Sequence, residues 1–225
     1  MAISGGEPTL NRPWLTAYLA ELRALKPDRE ARLHVDTNGS LLTSDYIDAL
    51  VEAEMTDAGI DLKALEVDTF MRITGLKDRK PALKYKENAW SACEYLFEHY
   101  KDRGFLGIGI PYNKDLISLT EVSKIGMRIR EEVDPSVQVC ALDYRPEFRS
   151  KITKPTYEEM KKVHRLLKET GLTTVICQTE FGHVGRSDWG CFLSMPNGER
   201  CYPVSKKCYL CLETSQRCKN GSPRY

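Results

Sequence analysis

Six short β-prone runs alternate with longer stretches whose apolar residues recur at helical spacing, and this alternation is the pattern of repeated βα units around a parallel sheet. The runs cover residues 2–4, 32–37, 58–62, 105–110, 137–143 and 173–177. Between them lie apolar stripes at Trp14, Tyr18, Leu22 and Leu25, at Tyr46, Ile47, Leu50 and Val51, and at Trp90, Cys93, Phe97 and Tyr100. Two further stripes follow, Leu119, Val122, Ile125 and Ile129, then Met160, Val163 and Leu167. Thr156 and Glu159 form a capping box ahead of the last stripe and Gly171 closes it. Each stripe is expected to pack on the sheet, so the stripes establish an α/β architecture and no activity.

Charge excludes two classes. Lysine and arginine number 33 against 32 aspartates and glutamates, and 41% of the 225 residues are hydrophobic. A disordered polyelectrolyte and a nucleic-acid binder held by bulk charge are both ruled out. The opening Met1-Ala2-Ile3-Ser4 has neither the basic nor the apolar part of an export signal, and no run reaches the 18 apolar residues of a membrane span. A cytoplasmic protein without membrane contact is expected, with its eight cysteines reduced. Five of these, Cys191, Cys201, Cys208, Cys211 and Cys218, crowd the end of the chain. Two regions are therefore expected, an α/β unit over 1–180 and a Cys-rich extension over 181–225.

In sheets built from βα units, ligands gather where the strands end. The first strand runs into Ser4-Gly5-Gly6-Glu7-Pro8, the second into Asp36-Thr37-Asn38-Gly39, and the third into Asp61-Leu62-Lys63. A glycine pair lets backbone approach a ligand, and the Glu7 carboxylate can receive an ammonium. Asp36 and Asp61 stand in apolar runs, where a carboxylate needs a cation or donors. Lys63 shares the face of Asp61 by the strand period of two and can meet a carboxylate. Together these groups describe a pocket for a zwitterion such as an amino-acid moiety. In the extension, Cys201-x6-Cys208-x2-Cys211-x6-Cys218 has the knuckle spacing of a metal site, for which zinc and an auxiliary 4Fe-4S cluster both remain open. Of the histidines, His99 and His164 read as surface residues and His183 as a pocket candidate.

Ser4-Gly5-Gly6-Glu7-Pro8-Thr9-Leu10, Asp36-Thr37-Asn38-Gly39, Asp61-Leu62-Lys63 and Phe70-Met71-Arg72-Ile73-Thr74-Gly75, in this order, resemble the radical S-adenosylmethionine enzymes, in particular the pyruvate formate-lyase activating enzymes. The resemblance runs from residue 2 to residue 185. It implies a partial (βα)6 barrel whose first βα unit is missing, followed by the small Cys-rich extension. It also implies S-adenosylmethionine as ligand. Gly5, Gly6, Glu7 and Pro8 match the motif whose backbone holds its amino group, and Asp36 and Lys63 match cosubstrate contacts. Asp36, Thr37, Asp61 and the Gly59 carbonyl match a monovalent-cation site. Asp143 and Tyr144 stand where the activating enzymes carry a ribose-contacting histidine.

The family's 4Fe-4S cluster is held by Cys-x3-Cys-x2-Cys upstream of Gly-Gly-Glu-Pro. This sequence has no such triplet, and its first cysteine is Cys93. The expected function is thus the C-terminal portion of a radical oxidoreductase of the activating-enzyme type, acting on a partner protein such as a glycyl radical enzyme. The 225 residues alone are expected to carry no catalytic residue and to be inactive, and to self-associate through the open edge of the first strand. The alternative is a cluster-free module that binds S-adenosylmethionine or a partner.

Overall fold

The structure, a computed structural model, describes residues 1–25, 31–146, 151–179 and, as backbone, 182–186. The proposed metal ligands Cys201, Cys208, Cys211 and Cys218, and Cys191 with them, lie outside the described residues. Seven strands form one sheet in chain order: β1 (Ala2–Ile3), β2 (His34–Thr37), β3 (Asp57–Asp61), β4 (Phe105–Tyr112), β5 (Gln138–Asp143), β6 (Val175–Thr179) and β7 (Gly182–Arg186). The first six pair in parallel, and β7 turns back antiparallel to β6. Helices fill the crossovers: α1 (Arg12–Leu25), α2 (Ser44–Glu52), α3 (Val67–Thr74), α4 (Arg79–Tyr100), α5 (Leu119–Arg128, with a π-helical end at Ile129–Val133) and α6 (Tyr157–Glu169). Parallel crossovers are right-handed, so strands laid down in sequential order put every helix on the same face. One buried cluster accordingly joins Leu15, Leu19, Ile47, Leu50, Trp90, Ile125, Val163 and Leu167 of the helices to Val35, Ile60, Ile108, Ile110, Val139 and Val175 of the strands. The sheet does not close: β1 and β7 are its edges. No described helix is long and apolar enough to cross a membrane.

The capping box at α6 forms in both directions, with Glu159 N donating to Thr156 Oγ1 at 3.2 Å and Thr156 N to Glu159 Oε2 at 2.8 Å. Three features differ from the sequence pattern. On α1 the buried residues are Leu15 and Leu19, whereas Trp14, Tyr18 and Leu25 are exposed. Apolar residues there spread over more than one face, and the helix seats its all-leucine face on the sheet. The second difference is α3, whose short span Val67–Thr74 carries only Val67, Thr69 and Phe70 inward and so shows no long period. The third is β7, which continues the sheet past residue 180 although its glycines weaken any strand signal. His164 is also no free surface residue, since its Nε2 lies 3.1 Å from the Val175 carbonyl.

β1 pairs only with β2, so its outer edge is unpaired among the described residues. The helix that follows it exposes Leu10 beside its start and a Trp14–Tyr18 stack with centroids 4.9 Å apart. Apolar surface next to free backbone groups recruits another chain. The 225-residue chain is expected to form dimers or larger species in sedimentation at high concentration, and a monodisperse monomer would show this flank to be inert.

Candidate functional site

Side chains on the face away from the helices form transverse rows, because paired residues of adjacent strands point the same way. The register puts His34 beside Asp57, Asp36 beside Gly59 and Gly107, and Asp61 beside Gly109 and Cys140. A Cβ on Gly59 would overlap the Asp36 carboxylate, and one on Gly109 the Asp61 carboxylate. These glycines therefore make the room in which two acids lie across the sheet. Asp36 Oδ1 sits 2.7 Å from His34 Nε2, and that contact, with a further bond from Ser4, holds its carboxyl below the usual range. Any stability from Asp36 is present above that range and fades as the pH falls through it, and is small because the side chain is half exposed. Asp61 is paired with Lys63 at 2.8 Å. The expected sharing of one face by Asp61 and Lys63 is thus realised.

At the tip of β1, Gly5 and Gly6 hold φ of +92° and +58°, and nothing lies within 4 Å of where their Cβ atoms would be. Bare backbone therefore faces open space. The Glu7 carboxylate is engaged within the fold. Its Oε1 accepts from Thr9 N at 3.1 Å, Thr9 Oγ1 at 2.5 Å and Thr37 Oγ1 at 2.6 Å, and its Oε2 accepts from Asn38 N at 2.8 Å. These bonds fasten the first loop to the tip of β2, and Pro8 opens the 3-10 turn Pro8–Leu10 that Glu7 caps. Thr37 is buried in the same knot and also accepts from Gly39 N at 3.1 Å. Its hydroxyl is thereby separated from Asp36, its neighbour on the opposite face, so the side chains of Asp36, Thr37 and Asp61 do not converge on one cation.

The far rim is built around Asn113, a residue that carries no local sequence signal. It is buried, and its Nδ2 donates to the carbonyls of Tyr144 at 3.0 Å and Thr153 at 2.8 Å, clamping the ends of β4 and β5. Asp143 is buried too and held by Arg145 at 2.8 Å, while one of its oxygens has no hydrogen-bond partner. Tyr144 is exposed at the rim, its amide bonded to the Tyr112 carbonyl at 3.0 Å. Glu121 carries no local sequence signal either. From α5 it accepts from Leu65 N, Glu66 N and Thr69 Oγ1 at 3.0, 2.9 and 2.8 Å, fixing the connection that carries Lys63.

At the opposite end of the sheet, Val51, Met55, Leu96, Phe97, Tyr100 and Val137 line a cavity of about 440 Å³. It is largely apolar, has Asp57 in its wall and lies at the strand starts, at the other end of the sheet from Gly5, Gly6, Asp61 and Lys63. Among the described residues no three metal-ligating side chains converge. Cys93 and Cys177 are buried, and burial pushes both thiols up, away from the thiolate an iron-sulfur cluster needs. The described residues thus offer no set that fits a cluster.

No curated protein matches the chain in sequence. Among solved structures, a domain of pyruvate-formate lyase-activating enzyme from Bacteroides vulgatus superposes with a TM-score of 0.60 at 16% identity, covering 79% of this chain and 97% of that one. Coproporphyrinogen III oxidase from Escherichia coli, a radical SAM enzyme, gives 0.57 at 14% identity over 83% of this chain. A radical SAM methyltransferase from Sphaerobacter thermophilus gives 0.51 at 16% over 67%. The chain spans less than half the length of these last two proteins, 43% and 41%. At such identities the likeness establishes the fold, a partial radical SAM barrel. Residues 1–118 match the Radical SAM superfamily in sequence, more than half of the chain, and the protein belongs to that superfamily.

Proposed function

We propose that this chain binds S-adenosylmethionine at the tips of β1, β2 and β3, as the part of a radical SAM enzyme that orients the cosubstrate. The observation that carries this reading is the open Gly5–Gly6 backbone beside Asp36 and the Asp61–Lys63 pair. Backbone carbonyls and the Asp36 carboxylate receive the methionyl ammonium, and Lys63 meets the carboxylate. Asp143 and Tyr144, at the ends of β5, are assigned to the ribose side. Asp36 and Asp61 remain the candidate ligands of a monovalent cation, with backbone oxygens in place of the Thr37 hydroxyl. The proposed Cys201, Cys208, Cys211 and Cys218 site would add zinc or an auxiliary cluster.

In the radical SAM superfamily a 4Fe-4S cluster supplies the electron that splits the sulfonium of S-adenosylmethionine. No set of residues described above holds that cluster, so the chain's own part is binding and orientation. For the intact enzyme we assign hydrogen-atom abstraction of the activating-enzyme type, with a protein as substrate, supported by the order of motifs from Gly5 to Gly75. Two outcomes are expected. Reconstitution of the 225-residue chain with iron and sulfide, followed by dithionite, yields no 5′-deoxyadenosine, and stoichiometric product would contradict the assignment. In calorimetry Lys63→Ala weakens S-adenosylmethionine binding by about 1.5 to 3 kcal/mol, the range for a hydrogen bond to a charged group. Equal affinity in parent and variant would remove Lys63 from the site.

A further inference from the structure

Charge is unevenly distributed in this nearly neutral chain. Between residues 72 and 86 stand Arg72, Lys77, Arg79, Lys80, Lys84 and Lys86 against the single carboxylate Asp78, so the remainder of the chain is net acidic. Arg79 is spent on Asp68 and the buried Lys86 on Glu87, while Asp78 caps α4 through the amide of Lys80 at 3.0 Å. Lys77, Lys80 and Lys84 are exposed and have no partner among the described residues. Leu83, also exposed, lies between the last two.

The fold gives this segment a particular place. α4 has 22 residues and ends beside the start of β4, where Gly104 N donates to the Tyr100 carbonyl at 2.8 Å. At about 1.5 Å per residue it runs some 33 Å back along the sheet, beyond the roughly 26 Å length of an eight-residue strand. Its first turns and α3 therefore stand as a ridge at the end of the sheet that carries Lys63. α3 is pinned at its start by Glu121, so the ridge is presented in a fixed orientation.

We propose that this ridge is a docking surface for an acidic protein, one that brings clustered carboxylates around a small apolar patch to the mouth of the site. Unpaired cations on an otherwise acidic chain select an acidic partner and orient its approach. Leu83 separates a protein from a polyanion, since an exposed leucine among lysines matches the apolar centre and polar rim of a protein interface and offers nothing to a phosphate backbone. The proposal is independent of S-adenosylmethionine binding.

Two fluorescent helical peptides of equal charge test it, one with a glutamate face alone and one with leucines set within that face, read by anisotropy against the full 225-residue chain. The leucine-bearing peptide is expected to bind more tightly, and Leu83→Ser to remove that advantage, about fivefold for one exposed apolar contact. The triple change Lys77→Glu, Lys80→Glu, Lys84→Glu should weaken binding at least about tenfold, from three exposed ion pairs. Circular dichroism confirms folding of each variant. Lys101→Glu, Lys162→Glu, Arg165→Glu is the charge-matched control elsewhere on the surface. An equal loss in that control, equal binding of the two peptides, or tighter binding of duplex DNA or phosphatidylglycerol vesicles would each overturn the proposal.

Discussion

Gly39→Ala is expected to destabilise the protein by about 2 to 4 kcal/mol, from left-handed strain and overpacking together. Gly39 sits at φ +71° just past the tip of β2. A Cβ there would lie 2.8 Å from Ala89 Cβ, 2.9 Å from Ala89 Cα and 3.0 Å from Ile60 Cγ2. Two of these atoms belong to α4 itself, whose neighbouring Trp90 is fully buried, so the helix cannot retreat without opening the core. Gly75 separates the two contributions. It has φ +76° with nothing within 4 Å of its Cβ position, so Gly75→Ala should cost only the strain, about 1 to 2 kcal/mol. Urea denaturation of both variants checks the pair. Equal losses would mean that α4 does not press on the loop that follows β2.

Glu7 is the second sensitive point. Its carboxylate accepts four hydrogen bonds from Thr9, Thr37 and Asn38, and no other described group replaces it. A hydrogen bond to a charged group contributes about 1.5 to 3 kcal/mol, and bonds sharing one carboxylate do not add. Glu7→Ala should therefore lose about 2 to 4 kcal/mol, and Glu7→Gln less, because its remaining carbonyl oxygen keeps part of the set. Binding of S-adenosylmethionine should fall in both, since the glycine pair is held through Glu7. Full stability in Glu7→Ala would show that the turn at Pro8–Leu10 supports the loop unaided.

The two cases show what a linear chain discloses. Strand runs and the stripes of α2, α5 and α6 were legible, because their apolar residues fall on one face and that face is the buried one. α1 misled because leucines and aromatics together cover more than one face, and only the sheet decides which is buried. The gathering of the glycine-rich tip and the two strand-end aspartates at one end of the sheet was legible, because strand ends follow from the strand runs themselves. The use of the Glu7 carboxylate was not, because it depends on Thr37, thirty residues away. Asn113 and Glu121 carry no local signal either, since each bonds to backbone brought near only by folding. The pairing of His34 with Asp36 carries no signal beyond the strand period of two.

The most direct measurement of the central claim is an amide chemical-shift titration of the 225-residue chain with S-adenosylmethionine. Shifts are expected at Gly5, Gly6, Asp36 and Lys63, saturating together, with none at Met55, Tyr100 or Val137 around the cavity at the strand starts. Shifts confined to that cavity, or no saturable change at the tips of β1, β2 and β3, would contradict the assignment of the cosubstrate site.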